Sequence, residues 1–144
     1  DSVMQILQGL AKTLVKYQDP QSGTWYQVTD QGAREGNYLE SSATALFIYT
    51  LAKAINKGYI GKEYIEPTQK AFEGMVNTFT RLEEDGSYTI TNCCAVAGLG
   101  GDSKRYRDGS FEYYISEPII ENDPKSVGSF ILAAIEYEKM IEKK

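Results

Sequence analysis

Two helical stretches of this sequence are apolar on almost every side, and this feature limits the folds open to the chain. Apolar residues between Ala43 and Ile55 run nearly all the way round a helix, and those between Val127 and Ile135 do the same. A helix that is apolar on every side must be covered by protein on every side. The apolar residues within 3–17 and 71–79 instead lie on single stripes, as in helices that cover a core from outside.

The order of these helices along the chain indicates an all-α architecture. We predict helices over 3–17, over 39–56, from Glu66-Pro67 to about Arg81, and after the cap Asp123-Pro124. One-faced and fully apolar helices alternate, and long loops lead into the fully apolar ones, with short β-prone pieces at 24–28, 88–90 and 111–115. A four-helix bundle would have one-faced helices throughout and shorter loops. The pattern therefore favours part of an α/α toroid, with inner helices forming a barrel wall.

Four helices are too few to close such a ring. The inner helices would leave apolar surface of roughly several hundred Å² that these residues cannot cover. A missing N-terminal portion, a second copy or a partner chain would serve as the cover. Residues 1–144 are thus interpreted as a single partial domain, about the C-terminal half of a toroid.

Composition excludes several classes of function. The net charge is −5 and the pI is about 4.8, so nucleic acid and an anionic membrane are not expected partners. The chain has no histidine, which excludes Cys-His and Ser-His-Asp nucleophile systems and argues against a zinc enzyme. The adjacent Cys93 and Cys94 are expected to be free, buried thiols, because a vicinal disulfide would be strained.

Two loop segments before the first inner helix carry candidate site residues. Trp25, within 23–28, either stacks on a sugar ring or packs against the helix ends. Glu40 and Ser42, within 37–42, either cap the helix or face the floor of a cavity.

The densest polar and aromatic cluster spans residues 107–118. Glycosidases usually need two carboxylates that flank the scissile bond, and Asp108, Glu112 and Glu117 are available. An extended strand would place Glu112 and Tyr114 on one face, so spacing alone does not assemble a pair. We expect these carboxylates to be exposed to solvent. Residues 97–101 lack the Lys-Ser/Thr ending of a phosphate loop and are predicted to be a tight turn.

Five motifs occur in an order that is familiar from one group of enzymes. They are GTWYQV (23–28), NYLESSA (37–43), CAVAGLGG (94–101), RDGSFEYY (107–114) with Glu117-Pro118, and NDPK (122–125) with Gly128. Together they resemble the C-terminal part of the unsaturated rhamnogalacturonyl hydrolases, glycoside hydrolase family 105, which are close to the unsaturated glucuronyl hydrolases.

The resemblance implies a six-hairpin α/α toroid and a reaction on oligosaccharides left by pectin lyases. In that reaction an Asp protonates the double bond of a terminal 4,5-unsaturated uronic acid, and water adds to the adjacent carbon. The resulting hemiketal rearranges and releases the neighbouring sugar. The resemblance implies no metal and no organic cofactor.

The family's catalytic Asp and pocket histidines match no position here, so no catalytic residue is assigned and we expect this chain alone to be inactive. The candidate substrate contacts that remain are Trp25, Tyr38, Glu40, Ser42, Tyr113, Tyr114 and Glu117. Two other hypotheses stay open. One is a non-catalytic carbohydrate-binding or scaffold half-toroid that self-associates, and the other is a complete small enzyme that uses Asp108, Glu112 and Glu117. The compartment also stays open between cytoplasm and periplasm of a bacterium.

Overall fold

A computed structural model of the protein describes residues 2–101 and 106–142. Within these ranges the chain is mostly helical, with short strands confined to the loops. The helices are α1 (Ser2–Tyr17), α2 (Ser41–Asn56), α3 (Ile65–Phe79), α4 (Phe111–Ser116) and α5 (Pro124–Glu142), with a 3-10 turn at Lys62–Tyr64. The strands are β1 (Thr80–Leu82), β2 (Tyr88–Ile90), β3 (Cys93–Cys94) and β4 (Ile119–Ile120). The predicted all-α class with short β pieces is confirmed.

Helices α2 and α5 form the centre of the molecule and run parallel to each other. Near their C-terminal ends the Asn56 amide donates to the Glu136 carbonyl at 2.9 Å. Near their N-terminal ends the thiol of Cys93 lies between Ser42 of α2 and Ser126 of α5. Such a parallel pair of inner helices is the arrangement that the toroid interpretation requires.

Helices α1 and α3 cover this pair with one face each. In α1 the buried residues are Ala11 and Leu14, and α3 buries a single stripe that includes Ala71, Met75 and Phe79. The Phe72 ring of α3 stacks on Tyr137 of α5, with the ring centroids 3.9 Å apart. The one-faced character predicted for both helices is confirmed.

Helix α5 packs through a stripe of mostly small side chains. Its buried residues are Ser126, Ser129, Ala133 and Met140. The larger apolar side chains point away, since Ile131, Leu132 and Ile135 are 56%, 45% and 44% exposed. Apolar surface on this inner helix is therefore open to solvent in the chain that the structure describes.

The helix ends follow the sequence signals in most places. Gly58, with φ of 69°, follows the C-cap residue Lys57 of α2, and Asp123 accepts a hydrogen bond from the Lys125 amide at 2.8 Å where α5 begins. Ser2, which precedes the predicted helix over 3–17, already lies within α1. No helix in the described ranges is both long and apolar enough to cross a bilayer.

Two of the predicted β-prone pieces are wrong as strands. Residues 111–115 belong to helix α4, because the Ser110 hydroxyl accepts a hydrogen bond from the Tyr113 amide at 3.1 Å and caps the helix. The segment 24–28 makes one isolated bridge, between Tyr26 and Leu39, and does not extend into a strand. The third piece, at Tyr88–Ile90, is strand β2, which pairs antiparallel with β1.

Candidate functional site

The long loops of the chain collect at the N-terminal ends of α2 and α5, where they enclose a cleft of about 330 Å³. Both helices direct their N-terminal ends, which carry partial positive charge, towards this region. The cleft combines polar side chains with the backbone of the segment that follows β3. It is lined by Gln27, Glu40, Ser42, Ala43, Cys94, Ala95, Val96, Ala97 and Lys125.

Glu40 is the central buried polar residue of the cleft, at 1% exposure. Its carboxylate accepts hydrogen bonds from the Ala43 amide at 2.6 Å, the Cys94 amide at 2.9 Å and the Ser42 hydroxyl at 2.9 Å. These three donors contact both oxygens of the carboxylate and hold it in one orientation. Both interpretations of Glu40 therefore hold, since it caps α2 and also lines a cavity.

Cys93 and Cys94 are free, buried thiols, as predicted, and Cys94 lines the cleft. The Gln27 side-chain amide lies 3.3 Å from the Cys94 sulfur and donates to it. Burial raises the pKa of Cys93, and the nearby Glu40 carboxylate acts in the same direction. The Cys93 thiol is therefore a packing group at neutral pH rather than a nucleophile.

Lys125, in the first turn of α5, supplies a cation to the cleft. Its ammonium donates to Asp123 Oδ1 at 2.7 Å and to the Ala95 carbonyl at 2.9 Å. The hydrogen bond between Lys125 and Asp123 lowers the pKa of Asp123 and raises the pKa of Lys125, so both side chains are charged at neutral pH. The sequence reasoning missed Lys125 and Gln27. Both lie inside the motifs given above, Gln27 in GTWYQV and Lys125 in NDPK.

Trp25 lies away from the cleft, in the hydrophobic core. Its side chain is 1% exposed, its indole N–H donates to the Leu14 carbonyl at 2.8 Å, and its ring meets Phe47 edge to face. A sugar ring cannot stack on a side chain in this position, so of the two interpretations of Trp25 the structure favours packing. Tyr38 is also absent from the lining of the cleft, and its buried hydroxyl lies beside the Cys94 thiol.

Tyr113, Tyr114 and Glu117 belong to a second cluster, around the loop at Gly98. The Tyr113 hydroxyl accepts from the Gly98 amide at 3.0 Å, and the rings of Tyr113 and Tyr114 lie 5.2 Å apart. The Glu117 carboxylate is fully buried and lies 3.7 Å from Arg107 Nε. The cleft thus brings together Glu40 and Ser42 from the predicted contacts, and the tyrosines and Glu117 lie outside its lining.

The three carboxylates of the 107–118 segment do not form a catalytic pair in the described chain. Asp108 accepts from the Ser110 amide and hydroxyl, and Glu112 forms an ion pair with Arg34, whose guanidinium covers the Phe111 ring. The expectation of solvent exposure holds for Asp108 and Glu112 and is wrong for Glu117, which is buried. None of the three lines the cleft.

The cleft places hydrogen-bond donors and acceptors side by side. Gln27 and Lys125 carry donors, and Ser42 can both donate and accept. The Glu40 carboxylate also lines the cleft, and Asp123 holds the Lys125 ammonium from beside it. Among the residues in 2–101 and 106–142, no cluster of three His, Cys, Asp or Glu is arranged to hold a metal ion.

Comparison with known proteins connects this arrangement to one group of enzymes. The sequence profile of Glycosyl Hydrolase Family 88 matches residues 1–141. A glycoside hydrolase of family 105 from Clostridium acetobutylicum (C. acetobutylicum ATCC 824) has a similar structure, with a TM-score of 0.91 and 44% identity over 95% of this chain. A possible family 105 member from Klebsiella pneumoniae is 25% identical over 99% of this chain, with a TM-score of 0.76.

The chain corresponds to only part of these proteins. It covers 38% of the C. acetobutylicum structure and 32% of the Klebsiella one. Protein Atu3128 of Agrobacterium fabrum is 38% identical over 120 residues, which are 81% of this chain and 52% of that protein. This chain therefore belongs to Glycosyl Hydrolase Family 88, and its resemblance to the family 105 glycoside hydrolases is confirmed across nearly its whole length.

Proposed function

We propose that this chain forms one side of the substrate cavity of a glycosidase that removes 4,5-unsaturated uronic acid from rhamnogalacturonan oligosaccharides. Family membership supports glycosidase chemistry, and the five sequence motifs support this substrate. The observation that carries the proposal is the cleft at the N-terminal ends of α2 and α5, with its adjacent donors and acceptors. In a toroid these ends face the central cavity.

In this proposal the described residues bind and orient the substrate, and the general acid comes from another part of the protein. Glu40 fixes the backbone at Ala43 and Cys94 through its hydrogen bonds, so we assign it a structural role rather than that of the general acid. Gln27 and Lys125 hold hydroxyl groups of the sugar beside the unsaturated residue. Holding that sugar in place keeps the double bond at the acid, and orientation of this kind lowers the barrier to proton transfer.

The exposed apolar faces indicate where the rest of the cavity is attached. On one edge Ile131, Leu132 and Ile135 of α5 face solvent. On the other, Leu46 of α2 and Ile6 of α1 do the same. We propose that further inner and outer helices of the same protein pack on both edges and close the ring.

Hydrolysis of an unsaturated disaccharide tests this function. The longer protein that contains the chain is expected to remove the ultraviolet absorbance of the double bond of unsaturated galacturonyl-rhamnose, and the 144-residue chain is expected to leave it unchanged. Substitution Gln27→Ala in the longer protein is expected to raise KM more than it lowers kcat. Turnover by the isolated chain, or none by the longer protein, would contradict the proposal.

The exposed faces also favour a second candidate, a non-catalytic half-toroid that binds carbohydrate and closes its ring with other copies of itself. Sedimentation of the purified chain separates the two candidates. A stable oligomer that binds oligosaccharide without turnover would favour the second.

A further inference from the structure

The charges of the cleft do not balance. Lys125 is held by Asp123, whose side chain is only 13% exposed, and the buried Glu40 carboxylate lines the same cleft. The neighbouring Arg107 is engaged with Glu117. Two carboxylates therefore accompany one ammonium group among the described side chains that line or touch the cleft.

This excess of negative charge affects which sugars the cleft can accept. A carboxylate brought to Lys125 would have to share the ammonium with Asp123 and would be repelled by Asp123 and Glu40. A neutral ring avoids this cost, because its hydroxyls can accept from Lys125 without bringing a further negative charge. The pair is then a recognition element for hydroxyl groups, and the cation is not free to bind an anion.

We propose that Asp123 is a specificity-determining positioning residue, which neutralises Lys125 so that the cleft accepts a neutral sugar next to the unsaturated uronic acid and rejects a second uronic acid. This inference rests on the proposed function, because it assigns the adjacent sugar to the cleft. Asp123 acts through Lys125 and does not itself take part in the chemistry.

The substitution Asp123→Asn separates this role from a structural one. Asn caps helices about as well as Asp, so the start of α5 is preserved while the negative charge is lost. The matched control is Glu136→Gln, which removes a carboxylate from another lysine pair on the same helix, with Lys139 at 3.0 Å. Glu136 lies about 20 Å along α5 from Asp123, at a rise of about 1.5 Å per residue.

The test compares kcat/KM of the longer protein on unsaturated galacturonyl-rhamnose and on unsaturated galacturonyl-galacturonic acid. In Asp123→Asn the preference for the neutral disaccharide is expected to fall at least about tenfold, mainly through KM, which is the size of one charge-assisted hydrogen bond. Lys125→Gln is expected to lose activity on the neutral disaccharide without gaining activity on the charged one. The inference would be overturned if the ratio of kcat/KM on the two disaccharides in Asp123→Asn stayed within about twofold of the ratio in wild type and in Glu136→Gln.

A binding measurement keeps this test independent of the proposed function. If the protein hydrolyses neither disaccharide, the proposed function fails, and NMR titration with rhamnose and with galacturonate still examines the cleft. In this titration the amide signals of Ser42 and Ala95 report binding. In Asp123→Asn they are expected to show a weaker preference for rhamnose over galacturonate than in wild type. No binding of either sugar, or no shift between them, would overturn the inference. If Asp123→Asn does not fold, Asp123→Ser provides an uncharged cap for the same comparison.

Discussion

Glu40 connects the stability of the chain to the shape of its cleft. The carboxylate joins the first turn of α2 to β3 through its bonds with the Ala43 and Cys94 amides. An amide at this position would direct an N–H towards one of these donors. We therefore expect Glu40→Gln to lower the free energy of unfolding by about 1–3 kcal/mol, as measured by urea denaturation.

The control for Glu40→Gln is Glu112→Gln. The Glu112 side chain is 70% exposed, and its ion pair with Arg34 lies at the surface. Its loss is expected to change the free energy of unfolding by less than about 1 kcal/mol. Equal losses of unfolding free energy in the two variants would show that the hydrogen bonds of Glu40 stabilise the chain no more than a surface ion pair does.

Tyr38 and Cys93 make the fold sensitive to alkaline pH. Burial raises the pKa of Cys93 above its ordinary 9.0 and that of Tyr38 above its ordinary 10.0, and the Glu40 carboxylate acts in the same direction on both. Each group therefore releases its proton more readily in the unfolded chain. The free energy of unfolding is unaffected below about pH 9 and falls as pH rises beyond it, by up to about 1.4 kcal/mol per pH unit for each group.

Removing the two ionisable groups should flatten this alkaline limb. In urea denaturation between pH 8 and 11, Tyr38→Phe with Cys93→Ala is expected to show a smaller loss of stability than wild type. Tyr88→Phe, at a tyrosine that is 65% exposed, should keep the wild-type slope. A wild-type slope in the double variant would mean that other groups cause the alkaline loss.

Of the substrate contacts predicted from the sequence, the structure places Glu40 and Ser42 in the cleft and Trp25 in the core, and the lining residues Gln27 and Lys125 were not predicted. Glu40 and Ser42 follow directly from their place at the start of an inner helix, where a side chain must either cap the helix or face the cavity. A tryptophan suits a hydrophobic core as well as a sugar-binding site, so the residue type of Trp25 does not distinguish the two. The orientation of its side chain is set by the hydrogen bond to the Leu14 carbonyl, which lies 11 positions away in the sequence. Such a partner is set by the tertiary fold and leaves no local signal.

The contact between α2 and α5 depends on small side chains. Ser129 and Ala133 of α5 are buried, as are Ala45 and Ala52 of α2, whereas the large residue Ile131 points outwards. Ala133→Leu adds volume where none is free and is expected to lower the free energy of unfolding by about 1–3 kcal/mol. The measurement is again urea denaturation. Ile131→Leu, on the exposed side of the same helix, should change it by less than about 0.5 kcal/mol, and a larger loss there would contradict this packing arrangement.

At the level of helices and strands, the sequence predicted the long elements and failed at a short one. The four long helices have both periodicity and end signals, so their positions follow from local physics. Helix α4 has only six residues, rich in aromatic and β-branched types that favour strands. The Ser110 cap outweighs that preference, because it satisfies a backbone N–H that a strand would have to pair elsewhere.

At the scale of the whole molecule, the described chain exposes apolar side chains at two edges. Apolar side chains are exposed on α5 at one edge and on α1 and α2 at the other, although the core between them is closed. The chain covers 38% of a family 105 structure with a TM-score of 0.91, so most of that structure lies outside the matched region. The fully apolar periodicity of the inner helices predicts this exposure, since a helix needs such a pattern only where other helices surround it.

The double substitution Ile131→Glu and Ile135→Lys tests whether the α5 edge is covered in the longer protein. Both side chains are about half exposed in this chain, so in the 144-residue chain the free energy of unfolding should change by less than about 1 kcal/mol, and any self-association should weaken. In the longer protein the same charges would be buried against a neighbouring helix, and the free energy of unfolding should fall by about 3–5 kcal/mol. Thermal or urea unfolding of both proteins, with sedimentation of the short chain, measures the difference. Equal effects in the two proteins would mean that the α5 edge faces solvent in both, and the ring would then have to close elsewhere.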